Sequence, residues 1–232
     1  MPSYDPAFDL AVAHALVRRA SSGDLDEAVR VYRPDGNVVA FGRRDTHQPG
    51  FPAAVEACRA AGFEPAVRAT GGRAVAYTSQ SLVIDHVRNE AEPTGGHDRR
   101  FLEFGEQFVS VFRELGIDAR LGAVPGEYCP GAHSVNARGV AKLVGTSQRV
   151  NKSAWLFSSL VVVGDEDVVR PVLVAVYDAL GQELDPASVG SLSAEVPGLS
   201  VDQVAAALGQ VSVEPDEQTV ALARELVADH RA

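Results

Sequence analysis

Seven short apolar runs, each bounded by turn-forming residues, occupy the chain between residues 29 and 163 and demand a core built on β-sheet. Residues 29–32 and 38–41 flank the turn-rich Pro34-Asp35-Gly36-Asn37 and read as a β-hairpin, with Gly42 closing its second strand. Residues 66–69, 74–77 and 82–87 follow, joined by Thr70-Gly71-Gly72 and Thr78-Ser79-Gln80. Residues 140–144 and 155–163 read as a further strand pair.

Helical spacing accounts for most of the remainder. Leu10, Val12, Ala13, Leu16 and Val17 recur with helical period over residues 7–19, until Ser21-Ser22-Gly23 breaks the pattern. A second helix covers 52–61, with Val55 and Cys58 facing inward and Gly62 as its stop. After the loop Glu92-Pro93-Thr94-Gly95-Gly96, one helix face carries Phe101, Phe104, Phe108, Phe112 and Leu115 and ends at Gly116. Such a stripe belongs in the core, an acyl pocket being its alternative use. Beyond Pro186 strand character disappears, and helices over 201–208 and 217–227 follow Pro197-Gly198 and Pro215. The expected organisation is a body over 1–186 and a small helical appendage over 187–232.

Composition limits the partners. With 46% hydrophobic and 22% charged residues, the chain reads as an ordinary globular protein. Asp and Glu outnumber Lys and Arg 31 to 21 with no long basic run, which argues against nucleic acid. The first twenty residues carry early acids rather than a basic start, and the longest apolar stretch, 160–163, is too short for a bilayer. No membrane association and a cytoplasmic location are therefore expected. Cys58 and Cys129 are the only cysteines, too few for a zinc site or a disulfide scaffold, so both are expected as reduced thiols. The histidines lack ligand spacing, and no metal site is expected.

Two stretches carry chemistry. In Glu127-Tyr128-Cys129-Pro130-Gly131 the proline and glycine place Cys129 on a loop, and Lys142 follows thirteen residues later. A thiol attacks a carbonyl as thiolate, and a nearby ammonium favours that form. Without its surroundings Cys129 would read as a small buried apolar residue and Lys142 as a solvated one. His133 reads either as a general base near Cys129 or as a plain loop histidine. Arg68-Ala69-Thr70-Gly71-Gly72-Arg73 sets two glycines between strands, where backbone N–H groups approach a ligand closely, although a bare double glycine is commonly just a turn.

These stretches together resemble the biotin and lipoate ligase superfamily. Arg68-Ala69-Thr70-Gly71-Gly72-Arg73-Ala74-Val75 is similar to its R-x-S/T-G-G-x-A-V segment. Lys142-Leu143-Val144-Gly145-Thr146-Ser147-Gln148-Arg149 is similar to K-x-x-G-x-x-Q-R, and Phe41-Gly42-Arg43-Arg44-Asp45-Thr46 to the G-R-x-D-T segment of the octanoyltransferase and amidotransferase branch. No cysteine follows Lys142, so Cys129 resembles the branch whose nucleophile precedes the lysine. Tyr77 stands where ligases of the family typically have histidine.

The resemblance implies an α/β (α+β) fold, a mixed β-sheet flanked by helices. It implies an acyltransferase that carries octanoyl or lipoyl on Cys129, with Lys142 assisting. Arg68, Thr70, Gly71, Gly72, Arg73, Tyr77, His133, Gly145 and Thr146 would shape the acyl site. Expected partners are lipoyl domains of 2-oxoacid dehydrogenases, glycine cleavage H protein or acyl carrier protein. No cofactor is required on this reading. An ATP- and magnesium-dependent lipoate–protein ligase is the alternative, and a non-catalytic relative that binds acyl groups or lipoyl domains is the second.

Overall fold

The computed structural model describes residues 5–232; residues 1–4, on which part of the leader reading rests, lie outside them. The chain runs α1 (Pro6–Ser22), β1 (Glu27–Tyr32), β2 (Val38–Phe41), α2 (Phe51–Ala60), β3 (Glu64–Val67), β4 (Val75–Tyr77) and β5 (Ser81–Asn89). It continues through α3 (His97–Glu114), β6 (Ala119–Leu121), β7 (Val135–Ala137), β8 (Ala141–Val150), β9 (Ala154–Val162) and α4 (Glu166–Ala179). Helices α5 (Leu192–Glu195), α6 (Val201–Leu208) and α7 (Glu217–Leu226) complete it.

The strands form two sheets, a six-stranded one in the order β1-β5-β9-β8-β7-β6 and a three-stranded one in the order β3-β2-β4. The large sheet is antiparallel throughout. In the small one β2 runs parallel to β3 and antiparallel to β4. The mixed sheet architecture with flanking helices is the expected one.

The β1–β2 hairpin does not form. Strand β1 alternates between buried and more open positions, as befits an edge with one packed face, and it pairs with β5. Strand β2 is buried at all four positions and takes the centre of the small sheet. Such an apolar run satisfies both of its edges only between two partners, so the intervening turn carries the chain from one sheet to the other. The pair β8–β9 does form a hairpin, with Val150 opposite Trp155, and its turn over 151–153 contains no glycine.

Three clusters fill the spaces around the sheets. Val55 and Cys58 of α2 and Val172 and Leu173 of α4 pack on Val39 and Phe41. Phe108 and Phe112 of α3 and Val204 of α6 pack on Ile84 and Val161 from the other side of the large sheet. Leu16 of α1 and Leu226 of α7 meet Val87 and Leu156. Cys58 is fully buried as expected, and burial pushes its thiol up to about 12. Among the described residues no helix is long and apolar enough to cross a membrane.

The stretch after Pro186 packs into the body. Leu192 and Val201 share a buried cluster with Val144 and Val163, and Arg231 bridges to Ala66. Fully buried His230 lies 2.6 Å from the Val67 carbonyl through Nδ1 and 3.1 Å from His14 Nδ1 through Nε2. Donation from His230 to Val67 leaves its Nε2 to accept from His14. Burial, first, and the neighbouring histidine lower His14 from its ordinary 6.5 to about 4. Folding therefore excludes a proton that the unfolded chain binds, so the stability this pair contributes is complete above pH 6.5 and is lost as pH falls toward 4. The difference in melting temperature between wild type and His14→Asn should shrink over that window. Asp9, raised to about 6 mainly by burial, has the opposite sign and cancels in the difference. A constant difference across the window would contradict this.

Candidate active site

A cavity with mostly apolar walls lies between the two sheets. Ala40, Val75 and Tyr77 of the small sheet face Val83 and Leu160 of the large one, with Leu10 of α1 alongside. Cys129 lines this cavity and also a more open cleft that holds Phe101, His133, Lys142 and Gln148. The thiol thus stands where an apolar tunnel meets solvent.

The double-glycine turn builds the near wall. Arg68 is buried and donates from Nε to the Gly71 carbonyl (3.0 Å), from Nη1 to Ala40 (2.6 Å) and from Nη2 to Arg73 (2.5 Å). One guanidinium therefore holds the turn at two carbonyls and ties it to β2. The same Nη2 lies 3.8 Å from Cys129 Sγ, and the Arg73 backbone N–H donates to that sulfur at 3.2 Å. Both groups direct donor hydrogens at the sulfur.

Gly72 has φ +91°, and a Cβ there would lie 2.6 Å from Sγ and 2.8 Å from Arg68 Nη2. Gly42 permits the same approach from behind, since its Cβ would sit 1.9 Å from the Gly72 carbonyl oxygen. The glycines of two separate motifs are required by one contact.

Cys129 itself has φ +43°, a left-handed conformation uncommon outside glycine and asparagine. Residues held there carry local strain and cluster at functional sites. Its amide donates to the Tyr177 hydroxyl at 2.6 Å, and that hydroxyl donates to the Ala74 carbonyl at 3.0 Å. Lys142, 1% exposed, donates to the Tyr128 and Cys129 carbonyls at 3.0 and 2.9 Å. Its Nζ also lies 3.0 Å from the buried Glu127 carboxylate. Glu127 Oε1 in turn accepts from the Val124 and Gly131 amides. The loop bearing the thiol is wound around an internal carboxylate and clamped by one ammonium.

The remaining expected residues divide by position. Thr70 Oγ accepts from Ser147 at 2.8 Å, and Gly71 N–H points at the Gln148 carbonyl (3.4 Å), so the turn is tied to β8. Tyr77 and Gly145 line the tunnel, and Thr146 touches both tunnel and cleft. A Cβ on Gly145 would sit 3.4 Å from Lys142 Cε. His133 lies across the cleft, stacked on Phe101 with ring centroids 5.7 Å apart. The aromatic helix face divides likewise: Phe108 and Phe112 are core, whereas Phe101 borders the cleft.

Sequence reasoning missed Glu127 and Tyr177 as site residues. Glu127 stood in the quoted loop motif, but nothing local marks a carboxylate as buried. Tyr177 lies on α4, forty-eight residues from its partner. That helix went unread because Pro171 interrupts a run rich in valine.

A thiol and a clamped lysine at the mouth of an apolar tunnel between two sheets make up the candidate site. The lipoyl protein ligase A/B catalytic domain matches residues 5–211, and the chain belongs to that family. It is 31% identical over 117 residues to the octanoyl-[GcvH]:protein N-octanoyltransferase of Exiguobacterium sibiricum, a match spanning 48% of this chain and 40% of that protein. The fold is shared with a lipoate protein ligase of T. acidophilum solved with lipoic acid, with a TM-score of 0.72 and 23% identity over 99% of this chain and 92% of that one. A lipoate-protein ligase A bound with ATP superposes with a TM-score of 0.73 and 22% identity, covering 97% and 90% of the two chains.

Proposed function

We propose that the protein transfers an octanoyl or lipoyl group through a thioester on Cys129 to a lysine of a lipoyl domain or glycine cleavage H protein. The observation that carries this reading is the sulfur's position at the tunnel mouth, 3.2 Å from the Arg73 N–H and beside the Arg68 guanidinium. The name of the Exiguobacterium relative, an octanoyltransferase acting from GcvH to protein, supports it. A Thermoplasma acidophilum structure that describes a bipartite lipoate protein ligase and its E2 lipoyl domain supports the lipoyl domain as acceptor.

On this reading transfer takes two displacements. The thiolate attacks the donor carbonyl, and the donor's thiol or amine leaves with a proton. The acceptor amine then enters from the open cleft, attacks the thioester and releases the Cys129 thiol. Lys142 positions the nucleophile by holding its carbonyl. To bind the acyl carbonyl or relay a proton it must exchange one of its three present contacts.

The ligase reading is favoured by the ATP-bound structural neighbour and gives Cys129 no role. One assay separates the two. Octanoyl thioester plus a lipoyl domain should yield octanoylated domain without ATP, and free lipoate with ATP and magnesium should yield little. Modification seen only in the second mixture would overturn the transferase.

A further inference from the structure

Strand register reveals a feature that an octanoyl or lipoyl chain does not use. Ser147 of β8 stands opposite Ser158 of β9, Ser158 opposite Asp85 of β5, and Asp85 opposite Arg30 of β1. These four residues form a polar row crossing the large sheet. Ser147, Ser158 and Asp85 line the tunnel, side by side with an apolar row that includes Leu160 and Val83. Asp85 lies two strands from β8, roughly 10 Å from the mouth. A chain on Cys129 that enters past Ser147, which like Cys129 lines both cleft and tunnel, runs along this row toward Asp85.

Asp85 is 2% exposed, and its two oxygens are treated unequally. Oδ1 accepts from Ser158 Oγ at 2.6 Å, whereas Oδ2 has no hydrogen bond and only Arg30 Nη1 at 4.0 Å. Arg30 is already engaged by the Asp9 carboxylate and carbonyl. A buried carboxylate oxygen left without a hydrogen bond carries a desolvation cost of roughly 1–3 kcal/mol or more, which a ligand that donates to it would remove. A methyl terminus or a disulfide ring supplies no donor. A neutral group that donates to Oδ2 satisfies it while leaving the Arg30–Asp9 pair intact.

We propose that the tunnel receives an acyl chain whose far end bears a small neutral hydrogen-bonding group, a hydroxyl or an amide, held by Asp85. The proposal rests on the acyl-thioester reading and adds a substrate class to it. The group would donate to Oδ2, leaving the Ser158 bond to Oδ1 in place. The Tyr32 ring, stacked under the Arg30 guanidinium at 4.0 Å, closes the same end of the tunnel.

The test compares N-acetylcysteamine thioesters of octanoate and ω-hydroxyoctanoate as donors to the full chain, with the adduct followed by intact mass. The wild type should be labelled at least about tenfold faster by the ω-hydroxy thioester, and Asp85→Leu should abolish or reverse that preference. Equal or faster labelling of the wild type by octanoyl would overturn the proposal, whether or not the variant folds. If neither labels, the thioester reading has failed on its own. The proposal is then decided by the free acids: a larger rise in melting temperature with ω-hydroxyoctanoate supports it, and an equal or larger rise with octanoate overturns it.

Discussion

Replacing Lys142 with methionine should lower the stability of the protein by about 3–5 kcal/mol and abolish acyl transfer. Lys142 is buried at 1% exposure and faces a carboxylate, that of Glu127, which is itself buried. Removing the ammonium strands that charge in the interior and frees two loop carbonyls, at Tyr128 and Cys129. Methionine fills the volume but restores none of these contacts. For a chain of this size the melting temperature should fall by roughly 10 °C. Pairing Lys142→Met with Glu127→Gln removes the stranded charge and should recover a large part of the stability, while transfer stays absent. A single variant that melts like wild type would show that the ion pair does not hold the loop.

Gly72→Ala is expected to reduce transfer by a hundredfold or more with the fold retained. The added Cβ would sit 2.6 Å from the reactive sulfur on a backbone at φ +91°. To restore ordinary contact the thiol must move by about 1 Å or the turn must change shape, and misplacement on that scale at a reacting centre costs about a hundredfold. The left-handed backbone adds about 1–2 kcal/mol of destabilisation. Gly71→Ala provides the control, because the nearest atom to its Cβ would be the Gln148 carbonyl oxygen at 4.0 Å and its φ is not positive. Steady-state transfer rates for the two variants decide the matter. Similar losses at Gly71 and Gly72 would point to general softness of the turn rather than to the contact with Cys129.

The site was more legible in the sequence than the topology. Glycine pairs, a cysteine before a proline and a lysine in a strand are local signals, and Cys129, Gly72, Arg68 and Lys142 do converge. What sequence could not supply was who holds whom. Lys142 grips the cysteine's carbonyl, and Arg73 contributes its backbone rather than its side chain.

Long-range pairing was the other blind spot. The turn at Pro34-Asp35-Gly36-Asn37 signals a hairpin, yet β1 and β2 go to different sheets, because β1 pairs with Val83–Arg88 of β5 and β2 sits between Glu64–Val67 of β3 and Val75–Tyr77 of β4. Local turn chemistry states that the chain reverses and does not say where the strand lands. Asp85 illustrates the same limit. In sequence it is one acid in an apolar run, and only the register with Ser158 and Arg30 places it at the end of a tunnel.

The central claim is that Cys129 carries the acyl group. Incubating the protein with an octanoyl thioester and measuring intact mass should reveal one octanoyl adduct, mapped to Cys129 by peptide sequencing, absent from Cys129→Ala, and lost on addition of an acceptor lipoyl domain. An undiminished adduct on Cys129→Ala, or transfer to the acceptor by that variant at the wild-type rate, would contradict the account.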